Sequence, residues 1–322
     1  MKAESEKMNS SLIPDRSSLS AWPHRIAVTL ACATLPLLFI GGLVTSLGAG
    51  LAVPDWPTTF GYNMFLYPWS KMIGCIFYEH SHRLVASFVG LLTVALAFLL
   101  WFREKRTWMR WLGVGALGLV IAQGILGGLR VILLQHTLAI IHACLAQAFF
   151  AFAVCLAVFT SSQWQSKPEQ TPVADGGRLR RLCAVTTGLI YVQLIFGAVL
   201  RHTGERLDAH LVFAGLVALH IILVLLRVMR NYAEQGILVC PASALAILLL
   251  AQLMLGTVSY LGKFTASLSL PPVALVGLTT LHLVTGALML AASVVLSLRA
   301  YRLSARPKSA AGRAVLSEQY SV

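Results

Sequence analysis

The sequence predicts an all-α polytopic membrane protein, with eight transmembrane helices forming two pseudo-symmetric four-helix bundles and both termini in the cytoplasm. Three observations lead to this fold class. Hydrophobic residues make up 57% of the 322 residues and charged residues only 11%, a composition unlike that of a soluble protein. Eight apolar stretches have the roughly 20 residues that a helix needs to cross a bilayer. Short motifs in the first four stretches recur in the last four.

The eight predicted spans follow one another with polar connections between them. A polar backbone inside a bilayer must satisfy its own hydrogen bonds, so each stretch is expected to be helical. The predicted spans are Ala27 to Leu47, Arg83 to Trp101, Trp111 to Leu133, Thr137 to Thr160, Leu182 to Leu200, His210 to Leu226, Ile237 to Leu261 and Pro272 to Leu298.

The recurring motifs divide the chain into two halves. "GGLVTSLGAGL" (41–51) aligns without gaps with "GAVLRHTGERL" (197–207), and "QGILGG" from Gln123 resembles "QLMLGT" from Gln252. A polar segment with Pro168 and Pro172 separates the halves and is typical of a linker. We therefore expect a cytoplasmic tail (1–25), an N-terminal bundle (26–160), a cytoplasmic linker (161–181), a C-terminal bundle (182–299) and a cytoplasmic tail (300–322).

The net charge of +13 reflects membrane orientation, and we expect no nucleic-acid partner. With the N-terminus inside, most Lys and Arg residues lie on the cytoplasmic side, as the positive-inside rule requires. The cationic residues on the outer side are Lys71, Arg83, Arg130, Arg201, Arg206 and Lys263. The cytoplasmic arginines are placed to meet anionic lipid headgroups.

Four of the nine histidines are candidate iron ligands. A histidine that binds a heme from a bundle helix needs a small residue one turn away, where the porphyrin edge approaches the helix. His82, His142, His210 and His282 are each followed at i+4 by Ala or Gly, and they fall in spans two, four, six and eight. Two such histidines per half match a bis-histidine heme site in each bundle. Any one of them alone is equally typical of a hydrogen-bonded packing residue.

The stretch "FYEHSHR" (77–83) precedes the second span and contains a further candidate. His80 and His82 lie about 200° apart around a helix, so they cannot both face one ligand, and His80 is expected at the membrane interface. Glu79 shares the face of His82. A carboxylate beside a candidate ligand at a membrane boundary is a candidate catalytic group. The alternatives are an ion pair between Glu79 and Arg83 or simple exposure of Glu79 at the level of the lipid headgroups.

The sequence resembles the heme A synthase family, the CtaA type of bacteria and its mitochondrial counterpart. The resemblance extends from about Ile26 to Arg299. The residues that carry it are "GGLVTSLGAGLAVPDWP" (41–57), "YEHSHRLVAS" (78–87), "QGILGGLRV" (123–131), "IHACLAQAFF" (141–150), "GAVLRHTG" (197–204) and "LHLVTGAL" (281–288).

This resemblance implies an enzyme of the bacterial inner membrane that oxidises the C8 methyl group of heme O to the formyl group of heme A. Two successive hydroxylations would give a gem-diol that loses water. The resemblance further implies a heme b cofactor between His210 and His282, and heme O as a substrate between His82 and His142. Glu79 would act near the reacting methyl group. Arg83 would contact either Glu79 or a heme propionate.

One feature departs from the family pattern, and the identity of one histidine ligand stays open. Many members have a cysteine pair flanking the PDWP loop, whereas Val53 precedes it here and Thr58 follows it. A loop disulfide therefore plays no part in the expected chemistry. His202 in "RHTG" competes with His210 as the third ligand, and we favour His210 because Arg206 lies one turn after His202.

Other functions are compatible with some of the same residues. A diheme membrane cytochrome that only transfers electrons from a quinol explains four histidines equally well, but it does not require Glu79. A transporter is less favoured because the repeats are parallel and no span is interrupted, and zinc lacks a closed set of ligands. Candidate protein partners are the farnesyltransferase that makes heme O, cytochrome oxidase assembly factors and a second copy of the chain. The long first outer loop either forms an aromatic belt or covers the N-terminal bundle.

Overall fold

The computed structural model describes residues 16–166, 176–265 and 267–304. The predicted tails before residue 16 and after residue 304 lie outside the described residues, as does the middle of the predicted linker. Within the described part, the fold is formed by long helices joined by short connections, apart from one outer loop of some length between residues 47 and 74.

Among the described residues, eight helices are long and apolar enough to cross a membrane, which confirms the prediction of an all-α polytopic membrane protein. They are α1 Arg16–Ser46, α2 Cys75–Arg103, α3 Thr107–Leu133, α4 His136–Thr160, α5 Gly176–Thr203, α6 Leu207–Asn231, α7 Gly236–Phe264 and α8 Pro272–Ser304. Most extend beyond the predicted spans, because a helix continues into the interface where polar residues appear. The extension of α2 matters for the site, because this helix begins at Cys75 and so includes the whole of "FYEHSHR".

The helix contacts form two closed rings of four. α1 contacts α2 and α4, and α3 lies between α2 and α4; α5 likewise contacts α6 and α8, and α7 lies between α6 and α8. The two rings meet where α8 packs on α1 and α4, and where α4 packs on α5. Each ring therefore has an interior lined by four helices, and α4 and α8 lie at the boundary between the two.

Apolar side chains fill most of both rings towards the ends opposite the loop between residues 47 and 74. Leu30, Leu96 and Leu156 are fully buried in the first ring, and Leu238 and Leu296 are buried in the second. Buried apolar area of this kind provides packing contacts between helices that the lipid cannot replace. The buried residues Glu79, His80 and Thr280 lie nearer the opposite ends of their helices.

Candidate functional site

Each of the four candidate histidines packs against a glycine of the preceding helix. A Cβ atom added to the glycine would lie 3.0 to 3.3 Å from Cε1 of the imidazole, closer than almost any side chain tolerates. The glycine therefore makes the space that the ring occupies. The pairs are Gly41 with His82, Gly127 with His142, Gly197 with His210, and Gly256 with His282.

In three of the four glycine helices, a glutamine lies four residues before that glycine. The motif is Q-x-x-x-G at Gln123, Gln193 and Gln252, and α1 has Leu37 at the corresponding place. Residues four apart share a helix face, so each glutamine lies one turn from the histidine contact. Gln123 and Gln252 are recognisable in the sequence as part of a repeat, but neither they nor Gln193 could be assigned to a histidine from the sequence alone.

In the second ring, His210 and His282 face each other. Their ring centres are 6.3 Å apart and the ring planes differ by 66°. Two imidazoles that share one iron, each at a metal–nitrogen distance of about 2 Å, have ring centres roughly 6 Å apart. His202 lies in the last turn of α5 and makes no ring contact with His282 among the described residues. The pair that fits a single iron is thus His210 with His282.

In the first ring, His82 and His142 are close enough to interact electrostatically. The Nδ1 atoms of both rings are buried, and neither has a hydrogen-bond partner in the described part of the chain. The nearby polar groups are the backbone carbonyls of Leu37 and Gln123 on the preceding helices, towards which an Nδ1–H can be directed. The same holds for Nδ1 of His282.

Glu79 is held by two partners at the outer end of the first ring. Its side chain accepts a hydrogen bond of 2.9 Å from Arg83 and one of 3.0 Å from the backbone amide of Val53. The residue is 2% exposed. Because Val53 belongs to the outer loop, the position of the carboxylate is linked to the position of that loop.

Arg83 also fixes the loop directly. Besides Glu79, its guanidinium donates hydrogen bonds to the carbonyl oxygens of Val53, Asp55 and Thr58, at 2.7 to 3.0 Å. Four of its five N–H groups are therefore engaged by the protein. The structure thus has the ion pair with Glu79, one of the two contacts expected for Arg83.

The outer loop lies over α2 and α3. His80 is buried beneath it, with Nδ1 3.2 Å from the Thr59 hydroxyl and its ring 5.1 Å from that of Tyr67. This differs from the expected place at an open interface, because the loop covers this helix face. The indole of Trp56 lies against Gly128 of α3, where an added Cβ would be 2.3 Å from the ring.

One part of the outer loop has the exposed aromatic residues of a membrane-interface belt, and another part covers the helices. Phe65 and Trp69 are 67% and 76% exposed, as an aromatic belt requires. Tyr67 is buried, and Trp56 reaches α3. The covering part is the segment around Val53 to Thr59, and the belt part follows it.

Asp55 organises the tight turn within this covering segment. Its carboxylate accepts hydrogen bonds from the Thr58 hydroxyl and from the backbone amides of Phe60 and Gly61, two residues with positive φ. Partial desolvation favours the neutral acid, but these hydrogen bonds outweigh it and lower the pKa of Asp55 from 3.8 to about 2. The turn is therefore built around a charged carboxylate.

Two further arginines lie at the outer ends of the rings, with different environments. Arg201 of α5 donates hydrogen bonds to the Gly42 carbonyl and the Ser46 hydroxyl of α1 and to the Thr279 carbonyl of α8, so it ties the rings together. Arg130 of α3 rests against Gly50 and interacts electrostatically with Glu79 and His142. The structure gives its guanidinium no hydrogen bond to any described residue.

The histidine pairs fit a heme better than a bare metal ion. Within residues 16–166, 176–265 and 267–304, no group of three or more His, Cys, Asp or Glu side chains is placed to hold a metal. The second pair offers two imidazoles whose ring centres are 6.3 Å apart. A porphyrin supplies the four remaining nitrogen ligands of a six-coordinate iron, so two imidazoles complete the site.

Comparisons with known proteins identify the family of this chain. The family model described as "Cytochrome oxidase assembly protein" (COX15-CtaA) matches residues 24–209, more than half of the chain. The chain is 30% identical over 186 residues to the heme A synthase of Shouchella clausii, and 27% identical over 188 residues to that of Alkalihalophilus pseudofirmus. These matches cover 57% and 56% of this chain, and 60% of each relative. His82, His142 and Glu79 lie inside the matched family region, whereas His210 and His282 lie after it.

Proposed function

The chain belongs to the family of cytochrome oxidase assembly proteins, and we propose that it is a heme A synthase. It is a multi-pass bacterial membrane protein. The proposed reaction converts the C8 methyl group of heme O to a formyl group by two successive hydroxylations, of which the second gives a gem-diol that loses water. In net terms the methyl group gains the oxygen of one water and gives up four electrons and four protons to an external acceptor.

The second ring is proposed to hold heme b as a cofactor. The support is geometric, since the rings of His210 and His282 have the separation that a shared iron requires. When bound, heme b supplies one-electron redox chemistry. The protein contributes the two ligands and an apolar surrounding that includes Val217, Ile221 and Leu249.

The first ring is proposed to hold the substrate, heme O, between His82 and His142. The observation that carries the function is an asymmetry between the rings. Glu79 lies three residues before His82, on the same helix face, whereas Ala139, Leu207 and Thr279 have the corresponding places before the other histidines. A cytochrome that only transfers electrons needs no buried ion pair beside one ligand.

Glu79 is proposed as the catalytic carboxylate. Its pairing with Arg83 holds it as an oriented negative charge in a site with little water. Such a group accepts a proton from the reacting centre or stabilises positive charge that develops there. The hydrogen bond from the Val53 amide fixes the carboxylate orientation, and the covering segment of the loop excludes water from the same place.

Arg130 is proposed as the anchor for a carboxylate of the substrate heme. The donors of Arg83 are already engaged by Glu79 and by loop carbonyls. Arg130 has no such acceptor in the part of the chain that the structure describes, and it lies near both substrate-side histidines. A guanidinium binds a carboxylate in a planar, bidentate manner, so this contact would orient the porphyrin within the ring.

Identification of the heme products tests the function directly. The protein is expressed in cells that make heme O but lack their own heme A synthase, and the extracted hemes are separated and identified by mass. Heme A or its hydroxylated precursor is expected. Heme b alone, with heme O unchanged, would instead favour the electron-transfer cytochrome, and purified protein without any heme would contradict both functions.

A further inference from the structure

A crevice opens between the two rings at the end opposite the loop between residues 47 and 74. It encloses about 530 Å³, which is within the range of roughly 300 to 1,000 Å³ for ligand pockets. The first ring contributes α1 and α4 to its wall, and the second ring contributes α8 and the start of α7. A molecule bound in this crevice therefore contacts both rings.

The wall of the crevice near the helix ends is positively charged. Arg299 and Arg302 of α8 both line it, and residues three apart on a helix share a face. No Asp or Glu is among the lining residues. Neither arginine forms an ion pair with any residue that the structure describes. Two positive charges thus meet in one cavity without a carboxylate to neutralise them there.

Backbone carbonyls hold both guanidinium groups in place but leave donors over. Arg299 donates a hydrogen bond of 2.9 Å to the Ile237 carbonyl at the start of α7. Arg302 donates to the carbonyls of Gln163 and Ser166, which follow α4. A guanidinium has five N–H groups, so at least three on each arginine have no acceptor within the described part of the chain. These donors are available to an anion.

The wall further from the helix ends is apolar. α1 contributes Val28 and Ala31 to it, and α4 contributes Val154 and Val158. Val28 is 39% exposed, so this part of the crevice is continuous with the surface that faces the lipid. The crevice therefore has a cationic part at the membrane boundary and an apolar part beside the acyl chains.

This division matches the chemistry of an anionic phospholipid. A phosphate accepts charge-assisted hydrogen bonds from guanidinium groups, and basic pockets between transmembrane helices bind such headgroups. A free phosphate ion would leave the apolar wall without a partner. A quinone has no negative charge for the arginines, and it would also lie far from the second ring's iron ligand. Arg299 and His282 are about 25 Å apart along α8, at about 1.5 Å per residue.

We propose that the crevice binds one anionic phospholipid of the surrounding bilayer, which joins the two rings at this end. Arg299 and Arg302 bind its phosphate group, and its acyl chains lie along the apolar wall of α1 and α4. The bound lipid adds contacts between the rings where α8 packs on α1 and α4. This site is separate from the heme chemistry and does not depend on the proposed function.

Native mass spectrometry of the full-length protein tests this inference. Protein stripped of lipid in a neutral detergent is titrated with phosphatidylglycerol or with phosphatidylcholine of the same acyl chains. The first phosphatidylglycerol is expected to bind at least about 10-fold more tightly than the first phosphatidylcholine, because charged hydrogen bonds favour it. Inorganic phosphate should not displace it, since phosphate cannot use the apolar wall.

The decisive variant removes both positive charges from the crevice. Arg299→Gln combined with Arg302→Gln is expected to abolish the preference for phosphatidylglycerol. Arg103→Gln combined with Arg230→Gln is the matched control. It removes the same charge from exposed positions at the same end of α2 and α6, outside the crevice lining, and should retain the full preference.

A second variant keeps the inference testable if the double arginine variant fails to fold. Val28→Trp fills the apolar part of the crevice from a partly exposed position and leaves both arginines in place. It is expected to weaken phosphatidylglycerol binding by about 10-fold, because the acyl chains lose their place. Phosphatidylglycerol should also raise the melting temperature of the wild type more than that of Val28→Trp.

Several results would overturn the inference while leaving the proposed function intact. They are equal affinity of the wild type for the two lipids, a preference that survives in the double arginine variant, and unchanged binding in Val28→Trp. Displacement of phosphatidylglycerol by inorganic phosphate, or a retained quinone in its place, would also overturn it. The heme content of the same samples tests the proposed function separately.

Carboxylates of the chain itself are the remaining candidates to neutralise the two arginines. Glu169 and Asp175 follow Ser166 in the sequence and lie outside the described residues. Glu169→Gln combined with Asp175→Asn is expected to leave phosphatidylglycerol binding unchanged. A gain of about 10-fold or more in affinity would show that these carboxylates are the ordinary partners of the arginines, and would overturn the lipid site.

Discussion

Gly41 of α1 lies directly against the imidazole of His82 of α2, and a Cβ added to Gly41 would be 3.0 Å from Cε1 of the ring. The same relationship links Gly256 of α7 with His282 of α8. An alanine at either position requires the imidazole to shift by a few tenths of an ångström, because the added methyl group would lie too close to Cε1. The glycines therefore set where the His82 and His282 imidazoles lie in the two rings.

The first prediction is that substitution of each glycine affects heme binding in its own ring only. Gly41→Ala is expected to remove heme ligation by His82 while leaving the second ring loaded, and Gly256→Ala is expected to do the reverse, at an overpacking cost of about 1–3 kcal/mol. Optical spectra of the purified variants, with heme content per protein, give the measurement.

Gly90→Ala provides the matched control for both variants. A Cβ at Gly90 meets no atom within 4 Å, and replacing a helical glycine by alanine favours the helix by up to about 1 kcal/mol. Its heme content should equal that of the wild type. Equal loss of heme from both rings in Gly41→Ala would contradict the assignment of one glycine to one ring.

The second prediction concerns Glu79. Glu79→Gln keeps the shape of the side chain but removes its charge, so heme A formation should fall by about 100-fold or more, while heme O still binds. Product analysis and the heme spectrum of the same sample distinguish these two effects. Unchanged heme A formation would remove Glu79 from the mechanism.

Arg83→Lys is the companion variant for Glu79. Lysine keeps the positive charge beside the carboxylate but cannot donate to three loop carbonyls at once. We expect the covering segment of the loop to become susceptible to limited proteolysis, with activity reduced. Arg206→Lys, an exposed outer cation, should leave the proteolysis pattern unchanged.

The sequence predicted the helices well and the loop and ligand surroundings only in part. Hydropathy is a property of consecutive residues, so the eight spans were predictable one at a time. The small residue after each histidine, such as Ala86 after His82, is also local. By contrast, the contact between Gly127 and His142 depends on which faces of α3 and α4 meet, and the hydrogen bonds of Arg83 join residues about 25 to 30 positions apart.

The repeated motifs include residues that pack near the histidines, which their spacing in the sequence did not show. Gln123 and Gln252 were recognisable as a repeat, but their distance from a histidine becomes visible only when the helices are packed. Leu37 could not be recognised as an exception to the repeat. A leucine is common in an apolar span, and it stands out only once the other three corresponding positions are known to carry glutamine.

The third prediction concerns Arg130 as a carboxylate anchor. Wild-type protein should bind iron protoporphyrin IX in the first ring more tightly than its dimethyl ester, by about 10- to 100-fold, because a hydrogen bond to a charged group contributes about 1.5–3 kcal/mol. Arg130→Gln should lose this preference while keeping the affinity for the ester. Spectral titration of protein with a loaded second ring gives both affinities.

Lys263→Gln is the control for Arg130, because Lys263 is an exposed cation on the same side of the membrane. It should retain the full preference for the free acid. If the preference for the free acid survives in Arg130→Gln but disappears in Arg83→Gln, the carboxylate anchor is Arg83 and not Arg130.

The fourth prediction is a pH dependence of the outer loop. The folded-state pKa of Asp55, about 2, lies below its ordinary value, so the charged carboxylate stabilises the turn. This contribution is fully present above about pH 4 and is lost as the pH falls towards 2. Pepsin cleavage within residues 48–74 should therefore increase between pH 4 and pH 2. Asp55→Asn should be cleaved readily throughout that range, and an equally protected Asn variant would contradict the role of the charge.

The last prediction decides between His210 and His202. His210→Ala should remove heme b from the second ring, because only His210 faces His282 at a separation that one iron can bridge. Added imidazole should restore the low-spin spectrum of this variant by filling the space that the side chain left. His202→Ala should retain heme b, since His202 lies beside Arg201 in the last turn of α5. Loss of heme b from His202→Ala with retention in His210→Ala would show that the outer end of α5 turns towards α8 when heme binds, and would make His202 the ligand.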